Sequence, residues 1–191
     1  MFDDLDEIRR HAATCILQGA DQWRSPFHTP VVATSDADLR VMVLRGFDPD
    51  TWTLRFNTDA RAPKVASVGE GASVGVLFYD AHSKLQLRGR GEGWIERDGP
   101  PVDEAWEAAT NFARRCYLGE APGETSDTPT SGLPEWAEGI EPDEAQLIPA
   151  RENFALLLLR LETLDVLHLA HTGHRRALFE LPDGEGRWIA P

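Results

Sequence analysis

The sequence predicts a small, mostly antiparallel β-barrel with peripheral helices. Five short segments, 28–34, 39–44, 52–57, 74–79 and 84–96, are rich in Val, Leu, Thr and aromatic residues and follow one another at hairpin spacing, separated by Asp, Pro and Gly. A single helical stretch, 60–68, interrupts them, whereas a doubly wound parallel sheet alternates strand and helix throughout.

The remaining elements fit around that barrel. Residues 3–19 form an N-terminal amphipathic helix, with Leu5, Ile8, Ala12, Cys15 and Ile16 at three- and four-residue intervals, acids in the first turn and Gly19 at the end. The barrel core covers 28–96. Residues 102–141 begin as a helix to Arg115, with Trp106, Ala109 and Ala113 on one stripe, and continue from Gly119 as a long loop dense in Gly, Pro, Ser and Thr. Strands resume over 153–191, at 153–161, 164–170, 175–181 and 187–189. The apolar run Phe154 to Leu159 does not alternate, which predicts cover on both faces, by the barrel or by a partner. One domain spanning 1–191 accounts for all of this.

Composition excludes several function classes. The 191 residues hold 19 Lys+Arg against 32 Asp+Glu, a formal charge of −13, so neither nucleic acid nor an anionic membrane surface is expected as a partner. No apolar run approaches the ~20 residues of a membrane span, and the acidic N-terminus is unlike a signal peptide, so a cytoplasmic protein is expected. Cys15 and Cys116 match neither a disulfide framework nor a zinc spacing. His168, His171 and His174 lack a supporting carboxylate and, in a strand, point to alternating faces, so no metal site is expected. Gly89-Arg90-Gly91-Glu92-Gly93-Trp94 continues a strand and carries Trp94 where a dinucleotide fingerprint has its third glycine; these glycines mark close backbone approach or bending.

The chemistry concentrates between Leu39 and Gly91. Thr58, Arg61 and Lys64 fall at a predicted helix start, where free N–H groups and the helix dipole favour an anion. With Arg40 and Arg45 nearby in an acidic chain, the cluster suits a phosphate monoester; a solvated helix face with ordinary basic residues is the plain alternative.

The ordered motifs Arg40-Val41-Met42-Val43-Leu44-Arg45-Gly46-Phe47, Phe56-Asn57-Thr58-Asp59-Ala60-Arg61-Ala62-Pro63-Lys64, Phe78-Tyr79 and Gln86-Leu87-Arg88-Gly89-Arg90-Gly91 resemble the FMN-binding split barrel of the pyridoxamine 5′-phosphate oxidase-like proteins. The resemblance covers about 28–96 and resumes in His174-Arg175-Arg176 and Trp188-Ile189-Ala190-Pro191. It implies FMN as cofactor, with the strand of Arg40, Val41, Met42 and Val43 along the flavin, Asn57 and Thr58 in contact with it, Arg61 and Lys64 on the phosphate, and Gln86 near the ring. It also implies a homodimer with FMN at the subunit interface, where Arg176 reaches the flavin of the partner chain.

Arg45 and His174 correspond to substrate-binding positions of that family, and its substrate loop of Tyr, Arg and Ser has its counterpart around Arg114, Arg115 and Tyr117. The family's R-L-H triplet, however, is here Thr172-Gly173-His174, so the arginine that grips the substrate phosphate is missing. The expected function is therefore an FMN-dependent oxidoreductase acting on a small molecule. The alternatives are a genuine pyridoxamine 5′-phosphate oxidase with a remodelled phosphate site, or a non-catalytic flavin- or haem-binding protein. No catalytic side chain is identifiable.

Overall fold

The computed structural model describes residues 3–191. Helix α1 (Leu5–Asp21) is capped by Asp4, whose carboxylate accepts the Glu7 N–H at 2.7 Å, and it buries Ile8, Ala12 and Ile16 against the barrel. The barrel strands are β1 (Val31–Ala33), β2 (Leu39–Val41), β3 (Leu44–Asp48), β4 (Thr53–Asp59), β5 (Ala72–Asp80), β6 (Leu85–Glu96) and β7 (Phe154–His168), with α2 (Pro63–Val68) between β4 and β5. These strands pair antiparallel, in the order β2-β1-β5-β6-β7-β4-β3; β8 (Arg175–Glu180) adds to β7, and β9 (Gly186–Trp188) to β8.

The two ends of that order are one stretch of chain. The strand expected at 39–44 divides into β2 and β3 at Met42–Val43, and there the Met42 and Leu44 N–H groups donate to the carbonyls of Pro30 and His28 at 3.0 and 2.8 Å. Residues 39–48 thereby join both sheet ends, while β7 fills the gap between β6 and β4. The result is the expected antiparallel split barrel.

Other boundaries shift for physical reasons. The strands expected at 153–161 and 164–170 are one strand, β7, which bends where its register with β6 slips between Arg90 and Gly91. A Cβ on Gly91 would lie 1.9 Å from the Arg160 carbonyl oxygen, so β6 and β7 approach there as only glycine permits. The helix expected over 102–115 breaks into α3 (Pro100–Glu107), α4 (Asn111–Arg114) and a 3-10 turn at Arg115–Leu118, because Thr110 caps a new helix by accepting the Ala113 N–H. The long loop is pinched where the Glu120 N–H donates to the Gly132 carbonyl at 2.8 Å; a 3-10 turn at Glu135–Ala137 and helix α5 (Glu144–Leu147) follow.

The apolar run of β7 is covered on both faces from within the chain. Leu157, Leu159 and Leu161 enter the barrel core, while Phe154 and Leu156 pack with Val102, Ala105, Trp106 and Tyr117 of the helical insertion. That run therefore lends nothing to the expected homodimer. Apolar side chains stay open at several places, Trp23, Phe112 and Ile148 among them, and four share the outer face of the sheet, where Leu39 and Val41 are each 63% exposed, Tyr79 45% and Leu77 36%.

Candidate functional site

A cavity of about 510 Å³ lies between the barrel and the insertion, a size typical of cofactor pockets. One wall is the chain from Arg40 through Val43, with Arg45 beyond it. Because β2 terminates the sheet order, its outer backbone edge has no strand partner among the described residues. The floor is the end of β4, Asn57, Thr58 and Asp59, and Lys64 closes one end from α2.

The cations are arranged unequally. Arg40 is oriented within its hairpin, donating to Thr34 Oγ1 at 3.0 Å and pairing with Asp38. The hairpin is tied to α2 by Asp36, which accepts from the hydroxyls of Thr34 and Ser67 and is held down to about 2 by them. Lys64 is half-buried and, among the described residues, has neither a hydrogen bond nor an ion pair; burial, with Arg40 beside it, pushes its ammonium below the ordinary lysine range. Asn57 Oδ1 is likewise buried with no partner, on the same floor. An unpaired ammonium beside an arginine, with an orphaned acceptor nearby, is a donor set short of an anion and a hydrogen-bond donor.

The helix-start arrangement expected for Thr58, Arg61 and Lys64 is corrected here. Thr58 is in β4, Arg61 in the turn that follows, and only Lys64 is helical, in a helix of 6 residues. The Arg61 guanidinium folds back on Asp59 through Nε and Nη2, at 3.0 and 2.7 Å, and the Arg61 N–H donates to the same carboxylate at 2.8 Å. Arg61 does not line the cavity.

Gln86 and Arg176 also lie outside it. The registers Tyr79↔Gln86, Gln86↔Leu167 and Leu167↔Arg176 set these residues in one row on the outer face of the sheet. Gln86 is three strands from β2, about 14 Å at the usual spacing. Its short side chain cannot reach the cavity of its own chain. His174 lies in the turn before β8 and is exposed, and the neighbouring Arg175 is committed to Asp3 at 3.2 Å.

The opposite wall comes from the insertion: Ala109, Phe112, Ala113, Cys116, Tyr117 and Pro122, of which only Tyr117 is among the residues that the resemblance sets against the family's substrate loop, and sequence reasoning missed the rest. Tyr117 packs edge-on against Phe154, 5.1 Å between centroids, and burial pushes its phenol up. For the others the sequence signal was the Ala109–Ala113 stripe, which reads equally as a core face. Among the described residues no three His, Cys, Asp or Glu side chains are grouped to hold a metal ion, and no helix is long and apolar enough to cross a membrane.

Residues 16–97 match the family model described as pyridoxamine 5′-phosphate oxidase, FMN-binding domain. Among solved structures, a pyridoxamine 5′-phosphate oxidase-related, FMN-binding protein from Nostoc punctiforme superimposes with a TM-score of 0.73 at 22% identity, over 98% of this chain and 100% of that one. PhzG from Burkholderia lata, in complex with tetrahydrophenazine-1-carboxylic acid, gives 0.64 at 16% identity, over 98% and 92%. The general stress FMN/FAD binding protein of Xanthomonas citri gives 0.53 at 16%, over 97% and 99%. No curated protein matches the chain. The chain thus has the split-barrel fold of these FMN-binding proteins, and its residues 16–97 match the FMN-binding domain of the pyridoxamine 5′-phosphate oxidase family.

Proposed function

We propose that the chain is an FMN-dependent oxidoreductase that works as a homodimer on a small molecule. The observation that carries FMN binding is the half-buried, unpaired Lys64 beside Arg40 in a cavity whose floor holds the orphaned Asn57 Oδ1. The residues fit the cofactor: Lys64, Arg40 and the Thr58 hydroxyl would hold the phosphate, Asn57 Oδ1 would accept a hydrogen bond from the flavin, and the chain from Arg40 to Val43 would bound the cofactor on one side. Arg61 fixes the turn through Asp59, so its part is to shape the phosphate end. FMN supplies the hydride or electron transfer, and the protein orients it and tunes its electronics.

The homodimer reading rests on the outer face. Leu39, Val41, Leu77 and Tyr79 form an exposed apolar strip that continues into the row carrying Gln86 and Arg176. A second copy packed on that strip covers it and supplies Gln86 and Arg176 to its partner's cavity, which neither reaches in its own chain. The insertion wall and Arg45, exposed at the cavity rim, bound the space left for substrate.

A visible absorption spectrum of the purified protein, before and after adding FMN, tests the cofactor. Oxidised-flavin peaks that co-elute with the protein are expected; a colourless protein that does not quench FMN fluorescence would refute the reading.

A further inference from the structure

The outer face carries a charge cluster whose stoichiometry is unusual for a structural ion pair. Asp165 on β7 stands directly opposite Arg88 on β6 and diagonal to Arg176 on β8, through the registers Arg88↔Asp165 and Leu167↔Arg176. It pairs with Arg88 through Oδ2 and accepts from both Nε and Nη2 of Arg176, at 3.0 and 2.8 Å. Arg176 is held on its other side by the Ala190 carbonyl at 3.3 Å. One carboxylate thus serves two guanidinium groups, and among the described residues Arg88 Nε stays buried without a hydrogen-bond partner.

A bridge that only tied β7 to β8 needs one arginine. Two leave a surplus positive charge, on the face where the apolar strip awaits cover. The bidentate fork fixes the Arg176 plane and leaves N–H groups of that guanidinium pointing away from Asp165. Burial pushes the Asp165 carboxyl up, but the hydrogen bonds from Arg176 and Arg88 outweigh it and keep it ionised well below neutral pH.

We infer that Asp165 is a positioning residue, which holds Arg88 and Arg176 on the outer face so that Arg176 is presented already oriented to the flavin of the partner copy. This rests on the homodimeric FMN reading above. An arginine restrained in advance loses less rotamer freedom on meeting its ligand, so the gain lies in affinity and in the flavin potential rather than in folding.

Charge and geometry predict opposite signs, which makes the inference testable. If Asp165 acted by charge alone, Asp165→Asn would leave two uncompensated arginines, tighten binding of the anionic cofactor and raise the flavin midpoint potential. If it positions Arg176, Asp165→Asn should behave as a weaker Arg176→Ala, with FMN affinity down about tenfold and a lowered potential, and the double variant should be no worse than Arg176→Ala alone.

FMN titration by fluorescence quenching, the midpoint potential, and dimer mass by sedimentation would be measured on each variant. Asp165→Glu guards against a misfolded Asn variant: its charge is unchanged, so any loss of affinity reports geometry, and a loss of severalfold is expected. Wild-type affinity and potential in both Asp165 variants, or the raised potential in Asp165→Asn, would overturn the inference while leaving the FMN dimer standing. A wild-type protein that binds no FMN, or binds it as a monomer, would overturn both.

Discussion

An ammonium that is half-buried and unpaired is held at a cost, and an arriving phosphate relieves it. Lys64→Ala should therefore leave the fold intact and weaken FMN by roughly 10- to 100-fold, the equivalent of one charge-assisted hydrogen bond of about 1.5–3 kcal/mol. Arg61→Ala should show the reverse pattern. Its guanidinium already satisfies Asp59, which is 9% exposed, so the loss falls on stability, about 1–3 kcal/mol in denaturant titration, with the smaller effect on FMN. The pH dependence follows from the same environment. Because burial lowers the Lys64 pKa, the unfolded chain binds more protons between that value and the ordinary one, and stability rises with pH in that window. FMN affinity runs the other way. It should be flat above the second phosphate ionisation near pH ~6 and fall as pH climbs through the lowered Lys64 pKa. In Lys64→Arg the alkaline fall should disappear, which FMN titrations across pH would show.

At the level of elements, β6 and β7 meet at Gly91 with no room for a methyl group. Gly91→Ala should destabilise by about 3 kcal/mol or more, since the obstacle is backbone that cannot turn aside. A fall in Tm of roughly 6–12 °C is expected by calorimetry for a chain of this size. The close approach of these glycines was legible in the sequence, because glycine at every second position of an unbroken strand pattern strips one face of side chains and lets a neighbouring backbone in. The division of 39–44 into two strands was not. It arises where the chain crosses from one sheet end to the other, and local periodicity carries no trace of that crossing. The site divided in the same way. Arg40, Asn57, Thr58 and Lys64 were legible because they fall in ordered motifs close together in the sequence, on β2, β4 and α2. Phe112, Cys116 and Pro122 come from a distant insertion whose small-residue stripe looks like any core face. Nor does alternation along β6 say which face of the sheet stays open, and that placed Gln86 and Arg176 away from the cavity.

For the whole molecule, the exposed strip of Leu39, Val41, Leu77 and Tyr79 leads to a linked pair of outcomes. Sedimentation of the wild type should give about twice the chain mass of 21.2 kDa. Leu77→Glu, at a position that does not itself line the cavity, should yield a folded monomer by far-UV circular dichroism and lose FMN in the same step. A monomer that retains FMN with wild-type affinity would show that the second copy contributes nothing to the site.

The stretch 39–48 links the two ends of the sheet and also forms the cavity wall, so it works as the clasp of a hoop. Among the described residues two backbone hydrogen bonds, from Met42 to Pro30 and from Leu44 to His28, fasten it in the gap between β2 and β3. A ligand lying against that clasp has to keep it shut. Amide exchange at Met42 and Leu44 should thus slow in step with cofactor occupancy, and the same protection should spread to β1 and β4, the strands that the clasp holds.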